Sequence, residues 1–371
     1  MFIEHISAEV ILFFILYGVT GVVPLIAAIY LLLRRGNAFA PGVTPPVRLR
    51  RWAASFFAAA ALGHVWWLLC YIYSRDLQSA NYVVVAVLDC VALLTTIAGT
   101  LLAMLQDRKR PVWPAFAAMV PFVALGASQI IFPETPFRHI TSIYILSLYV
   151  LFSVYMAYAV WQYGRWLNDN YADLENKKVW LSQTISLVCL LLFVLYVLVE
   201  TDTILLCLLH VIELVLFALL LWRVETLPQL ENTSMESAFS APAPTQSQRP
   251  LAPVNIDLAQ IERLLAERCV DTQLYLQHDL SLQQLARTLG TNRRYLSQYF
   301  SRQGITYNTY INNLRINHFI SRYQEITAAG RPFIVRQLAN ESGYRSYSTF
   351  SLAFKQRTGQ SVTVWMHEST E

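Results

Sequence analysis

Charge is what this sequence has least of. Of 371 residues, 14% are Asp, Glu, Lys or Arg and 55% are hydrophobic, whereas soluble domains are roughly 25% charged. The deficit excludes a wholly soluble protein, and the apolar content excludes a disordered or collagen-like one. Cysteine is scarce too. The five residues form no Cys-x-x-Cys pair, which argues against a disulfide framework or a zinc site and leaves five small apolar residues. Lysine occurs only at Lys109, Lys177, Lys178 and Lys355, all outside the apolar runs, so a retinal Schiff base within a helical bundle is excluded. HExxH, GxSxG and phosphate-loop signatures are missing, and no enzyme activity, cofactor or metal is expected.

What is present is a series of uncharged runs. The first lies between Glu9 and Arg34. Others cover 52–74, 82–106 (interrupted by Asp89), 111–133, 139–164, 179–199 and 203–222 (interrupted by Glu213). Each approaches or exceeds the ~20 apolar residues that cross a bilayer core. Seven in series predict a seven-transmembrane helix bundle over residues 1–223. The first run is too long for a signal-peptide core and has no basic flank or evident cleavage site, so it reads as a retained helix. Pro24 and Pro121 fall within runs and predict kinks.

Basic residues set the orientation. Arg34, Arg35, Arg48, Arg50 and Arg51 follow the first run, Arg108, Lys109 and Arg110 the third, and Arg165, Lys177 and Lys178 the fifth. The alternate loops hold only Arg75 and Arg138. The positive-inside bias then places the N-terminus outside and the C-terminal half in the cytoplasm of a multi-pass protein of the cytoplasmic (inner) membrane.

Four ionisable residues stand inside the runs: His64, Asp89, His210 and Glu213. Such groups are costly in lipid and raise a functional hypothesis by default. His210 and Glu213 share a helix face. His64, His210 and Glu213 fall near mid-span, and Asp89 about one turn nearer the outside. They read equally as a ligand-sensing cluster and as an interhelical hydrogen-bond network.

From 224 to 255 the composition shifts to Ser, Thr, Gln and Pro with no period, which predicts a flexible tether with an average reach of roughly 30 Å. Residues 1–255 hold 15 basic and 15 acidic residues. Residues 256–371 hold 13 and 9, and so carry the whole net charge of +4.

Within that basic half, a short helix over Leu282–Leu289 is expected to end at Gly290, with Asn292 capping a second helix over Arg293–Arg302. Ala286 is small where two helices would cross, and Leu285, Leu289, Leu296 and Phe300 supply a shared apolar face. This is a helix-turn-helix. About 53 residues on it recurs: Gln337-Leu338-Ala339 repeats Gln284-Leu285-Ala286, Gly343 repeats Gly290, Phe350 and Phe354 answer Leu296 and Phe300, and Ser346 replaces Asn292 as the cap. A long helix over Tyr307–Ile326 links the units. Residues 281–360 hold 11 basic and two acidic residues, a net of +9 that suits a phosphate backbone. With Leu296 and Phe300 turned inward, Arg293, Arg294, Ser297 and Gln298 occupy the outer face of the second helix. There Arg can read guanine and Gln adenine. Arg315, on the linking helix, is expected to form a structural salt bridge between the halves.

Residues 281–366 resemble the DNA-binding domain of the AraC/XylS family of transcription regulators. The resemblance rests on the two units, Gly304, Leu314-Arg315, Gly343-Tyr344, Phe350-Ser351 and Ala353-Phe354-Lys355. It implies base contacts at Arg294, Ser297 and Gln298 in the first unit and at Tyr347, Ser348 and Ser351 in the second, with Arg345 and Lys355 on phosphates and Leu352 apolar among the second set of readers. The expected protein is all-α: a seven-transmembrane helix domain (1–223, sensor), a linker (224–255) and a double helix-turn-helix domain (256–371). It reads as a membrane-embedded one-component transcription regulator. Its partners are double-stranded DNA, the lipid bilayer, the transcription machinery, a small-molecule or membrane-derived signal and a second copy in a homodimer. The alternatives are a transporter or intramembrane enzyme carrying a regulatory helix-turn-helix module, and a duplicated motif that binds protein.

Overall fold

The computed structural model describes residues 7–73, 80–132, 137–198, 203–230 and 258–369. Among them no strand forms, and an isolated bridge between Tyr171 and Ser281 is the extended pairing found. The fold is all-α, as composition and periodicity predict. Contacts divide the chain into two compact units, Met1–Tyr163 with Val179–Ala241, and Gly164–Lys178 with Pro242–Glu371.

The first unit contains α1 (Ala8–Leu33), α2 (Val47–Tyr73), α3 (Ala80–Ala103), α4 (Trp113–Ile131), the start of α5 (Phe137–Asn170), α6 (Trp180–Leu198) and α7 (Thr203–Thr226). Among the described residues, six of these, α1 to α5 and α7, are long and apolar enough to cross a membrane. The expected seventh span is α6. It is apolar, and its 19 residues make about 28 Å of helix, close to the roughly 30 Å hydrocarbon core. Ile15, Ile26 and Leu33 of α1 and Ile143, Leu151 and Val154 of α5 are more than half exposed. Apolar surface of that extent is compatible with a lipid environment and would be an aggregation hazard in water. Helices approach closely where a residue is small. Gly99 lies against the Trp52 ring and Gly63 against the Asp89 carboxylate, and neither site has room for a Cβ.

The ends of these helices differ from the charge-bounded runs. Arg50 and Arg51 lie inside α2, and Arg165 and Asp169 inside α5. A charge marks where an apolar surface stops, and the backbone hydrogen bonds of a helix continue past it. Part of the expected tether is also structured. α7 runs to Thr226, the buried Glu225 carboxylate pairs with Arg34 at 2.5 Å, and Leu227 and Leu230 are buried. Gln106 donates to the Pro228 carbonyl and accepts from the Leu230 amide. Residues 231–257 lie outside the described residues.

The second unit contains α8 (Leu258–Leu265, continuing into a π-helical turn at Ala266–Val270), α9 (Leu282–Leu289), α10 (Arg293–Arg302), α11 (Tyr307–Ala328), α12 (Val335–Glu341), α13 (Tyr347–Thr358) and α14 (Val362–Glu368). Two apolar cores form. One gathers Leu285, Ala286, Leu289, Leu296 and Phe300, and the other Leu338, Ala339, Phe350 and Phe354. α11 contributes to both, with Ile311 in the first and Ile316 and Phe319 in the second.

Candidate nucleic-acid interface and polar cluster

In the first unit, three of the four expected polar residues converge. His64 of α2 and His210 and Glu213 of α7 bring potential ligand atoms within 4.8 Å of one another. Their hub is Thr20 of α1, fully buried, whose hydroxyl lies 2.9 Å from His64 Nε2 and 3.2 Å from His210 Nδ1. Glu213 Oε2 is 3.3 Å from His210 Nδ1 and 4.0 Å from His64 Nε2. Tyr17 roofs the group: its ring packs on both imidazoles and its hydroxyl donates to the His64 carbonyl at 2.6 Å. Asp89 stands apart from the three. Its carboxylate accepts from the indole N–H groups of Trp66, at 3.3 Å, and Trp67, at 3.0 Å. Thr20 and Tyr17 carry no charge to mark them in the sequence, whereas Trp66 and Trp67 are expected near the cluster from their place in the second run.

In the second unit, local sequence chemistry builds two like corners. Ser281 caps α9 in a reciprocal box with Gln284, and Gly290 ends the helix at φ +72°. Asn292 caps α10 by accepting from the Tyr295 amide. In the repeat, Gly343 has φ +91° and Ser346 caps α13 by accepting from the Thr349 amide. α10 and α13 thereby leave each corner with their first turns capped.

The base-reading candidates fall on the outer faces with one difference. Arg294, Ser297 and Gln298 are exposed on α10, and Tyr347, Ser348 and Lys355 on α13, with Ser351 partly so. Ser348 leans on the cap, 3.0 Å from the Ser346 hydroxyl. Arg293 is not on the open face. It is half-buried, and that burial lowers its guanidinium pKa from the usual value, with Tyr171 opposing the shift. Arg345 is exposed but held by Asp279 at 2.5 Å. Leu352 is 53% exposed among these candidates, and an apolar side chain at such a position can meet a thymine methyl. Arg315 departs from the expected salt bridge. It is 1% exposed, donates to the carbonyls of Tyr275 (2.7 Å) and Gln277 (2.8 Å), and lies over the Tyr344 ring. It joins the halves through backbone carbonyls and a ring. A family model described as a helix-turn-helix domain matches residues 285–368. This segment is an AraC-type DNA-binding module. No curated protein and no solved structure shows significant similarity to the chain.

The AraC-type module is completed by a segment from elsewhere in the chain. Ala172, two residues past the end of α5, is buried in the module's first core. Its amide donates to the Leu280 carbonyl, and Asn308 of α11 donates to the carbonyls of Tyr171 (3.1 Å) and Ala172 (2.7 Å). Lys177 pairs with Asp279 at 3.1 Å, so Asp279 holds Lys177 with one oxygen and Arg345 with the other. Glu175 accepts from the hydroxyl of Thr349, in the first turn of α13. Sequence reasoning places residues 165–178 in a loop and has no signal for this docking, because most of its bonds use main-chain atoms.

Proposed function

We propose that the chain is a membrane-embedded one-component transcription regulator. Its AraC-type module binds specific sites on double-stranded DNA, and its helical unit senses a signal and controls that binding. The Lys/Arg distribution supports an orientation with the N-terminus outside and the module in the cytoplasm.

The observation that carries this reading is the segment 164–178. α5 begins in the helical unit, and the chain leaving it becomes part of the DNA-binding module's core. A transporter or enzyme with an appended module needs no such joint. A slack tether transmits little torque, whereas this segment offers a second and shorter path. Glu175 and Tyr171 sit by the first turns of α13 and α10, the ends that approach DNA. A change in helix packing that shifts the end of α5 would alter access to those turns. A signal does this only by binding the two arrangements with different affinity.

The test is to map chromosomal sites bound by the intact protein and to follow transcription from them. Wild type is compared with Ala172→Asp, which breaks the joint, and with His210→Ala/Glu213→Ala, which breaks the cluster. Both variants should change output while binding the same sites. Equal output from all three proteins would reject control by the helical unit.

A further inference from the structure

We propose that His64, His210 and Glu213 bind a divalent transition-metal ion of the zinc class. The first support is geometric. An ion with bonds of 2.0–2.1 Å in tetrahedral geometry holds its ligands about 3.3 Å apart. The His210–Glu213 edge already measures 3.3 Å, and His64 Nε2 stands 4.0 Å from the same carboxylate oxygen. The third edge, between the two imidazoles, lies within 4.8 Å, and closure of α2 on α7 would complete the set.

The second support is the orientation of His64. Its Nδ1 lies 2.9 Å from the Ala60 carbonyl, which can only accept. Nδ1 therefore carries the ring proton, and the Nε2 lone pair faces the cluster. Metal-bound histidines are held in this way, with the remote nitrogen donating to a carbonyl or carboxylate. Gly21 of α1 permits it, since a Cβ there would meet the His64 Cβ at 3.3 Å.

The third support is a count of protons. Thr20 has one hydroxyl hydrogen, and the Leu16 carbonyl at 2.9 Å competes for it with His64 Nε2. His210 Nδ1, when protonated, has one hydrogen for both Thr20 and Glu213. Glu213 as a carboxylate has none. With both rings neutral the group presents more lone pairs than hydrogens, a deficit that a metal cation or added protons would fill. Two imidazoles and a carboxylate with no thiolate favour zinc, nickel or cobalt over copper(I).

Bound metal would tie α2 to α7 beside α1, and would be a direct input to helix packing. That signalling role rests on the function proposed above, whereas the site rests on its own geometry. The test uses the full-length chain in detergent, stripped with a chelator and titrated with Co2+ as a coloured substitute for Zn2+. One equivalent should bind with visible d–d absorption and be displaced by Zn2+. Glu213→Gln and His210→Asn should weaken it at least tenfold, and unchanged helix content and duplex binding would show that both variants fold. Absence of binding, or binding equal in wild type and both variants, would overturn the proposal and leave a hydrogen-bonded or proton-binding cluster. Metal binding without any Zn2+ effect on reporter output would uphold the site and reject its signalling role.

Discussion

Arg315 ties several parts of the DNA-binding module together, from the carbonyls of Tyr275 and Gln277, to which it donates, to the Tyr344 ring. It is buried on the helix that feeds both cores. Burial lowers its pKa from the usual value, and a guanidinium stays charged through such shifts. Arg315→Met should leave the carbonyls of Tyr275 and Gln277 unpaired at about 1–3 kcal/mol each. The loss should appear as a lower melting temperature and faster hydrogen exchange over residues 258–369. Arg294 and Gln298, by contrast, are exposed and should matter for recognition alone. Arg294→Ala or Gln298→Ala should cost about 1–3 kcal/mol on a specific site and much less on a random duplex. An equal loss on both, in a titration at fixed salt, would mark a phosphate contact. The outward position of Arg294, Ser297 and Gln298 was visible in the sequence because helix periodicity separates Leu296 and Phe300 from their neighbours. The partners of Arg315 were not, because a backbone carbonyl in a short 3-10 turn has no signature of its own.

The two helix-turn-helix elements share a design but differ in tolerance. Both turns use a glycine with positive φ. A Cβ at Gly290 would meet Arg268 only at 3.7 Å, while one at Gly343 would meet Arg315 Nε and the Leu276 carbonyl at 2.9 Å. Gly290→Ala should therefore cost about 1–2 kcal/mol of backbone strain, and Gly343→Ala clearly more, as read by thermal denaturation of the two variants side by side. Asp279 is the pivot between the module and segment 164–178. Asp279→Asn would release Lys177 and Arg345 together, so non-specific DNA affinity should rise. The log–log salt slope should steepen by about one, and an unchanged slope would show that Arg345 does not reach phosphate. The caps, turns and helices of both units were readable because each is written within a few residues. The run of α5 to Asn170 was not, because Arg165 and Asp169 end an apolar surface without ending a helix.

Across the chain, the low charge and the small positive balance resolve into different places. Among the described residues the neutral part supplies six apolar helices of membrane-crossing length, and the basic part supplies a DNA-binding module with +9 over residues 281–360. Binding to duplex DNA should accordingly weaken steeply between 50 and 200 mM salt, by about a thousandfold or more if six phosphates are engaged. A flat salt response would favour a protein partner for the duplicated motif. The series of apolar runs and the basic-loop bias could be counted from the sequence. Which helices are neighbours could not, and that decides the polar cluster. His64, His210 and Glu213 meet because α1 lies against both α2 and α7 and presents Thr20 between them. Threonine in an apolar helix usually bonds its own backbone, so nothing in the sequence distinguished this one.

The DNA-binding module includes Ala172 in its core and is also joined through residues 231–257. A single proteolytic cut between 231 and 257 should therefore yield two fragments that copurify, because residues 171–177 still hold Leu280, Asn308, Asp279 and Thr349. Release of the smaller fragment would need a second event that unseats Ala172, so cleavage alone would be a silent mark and the conformational step the audible one.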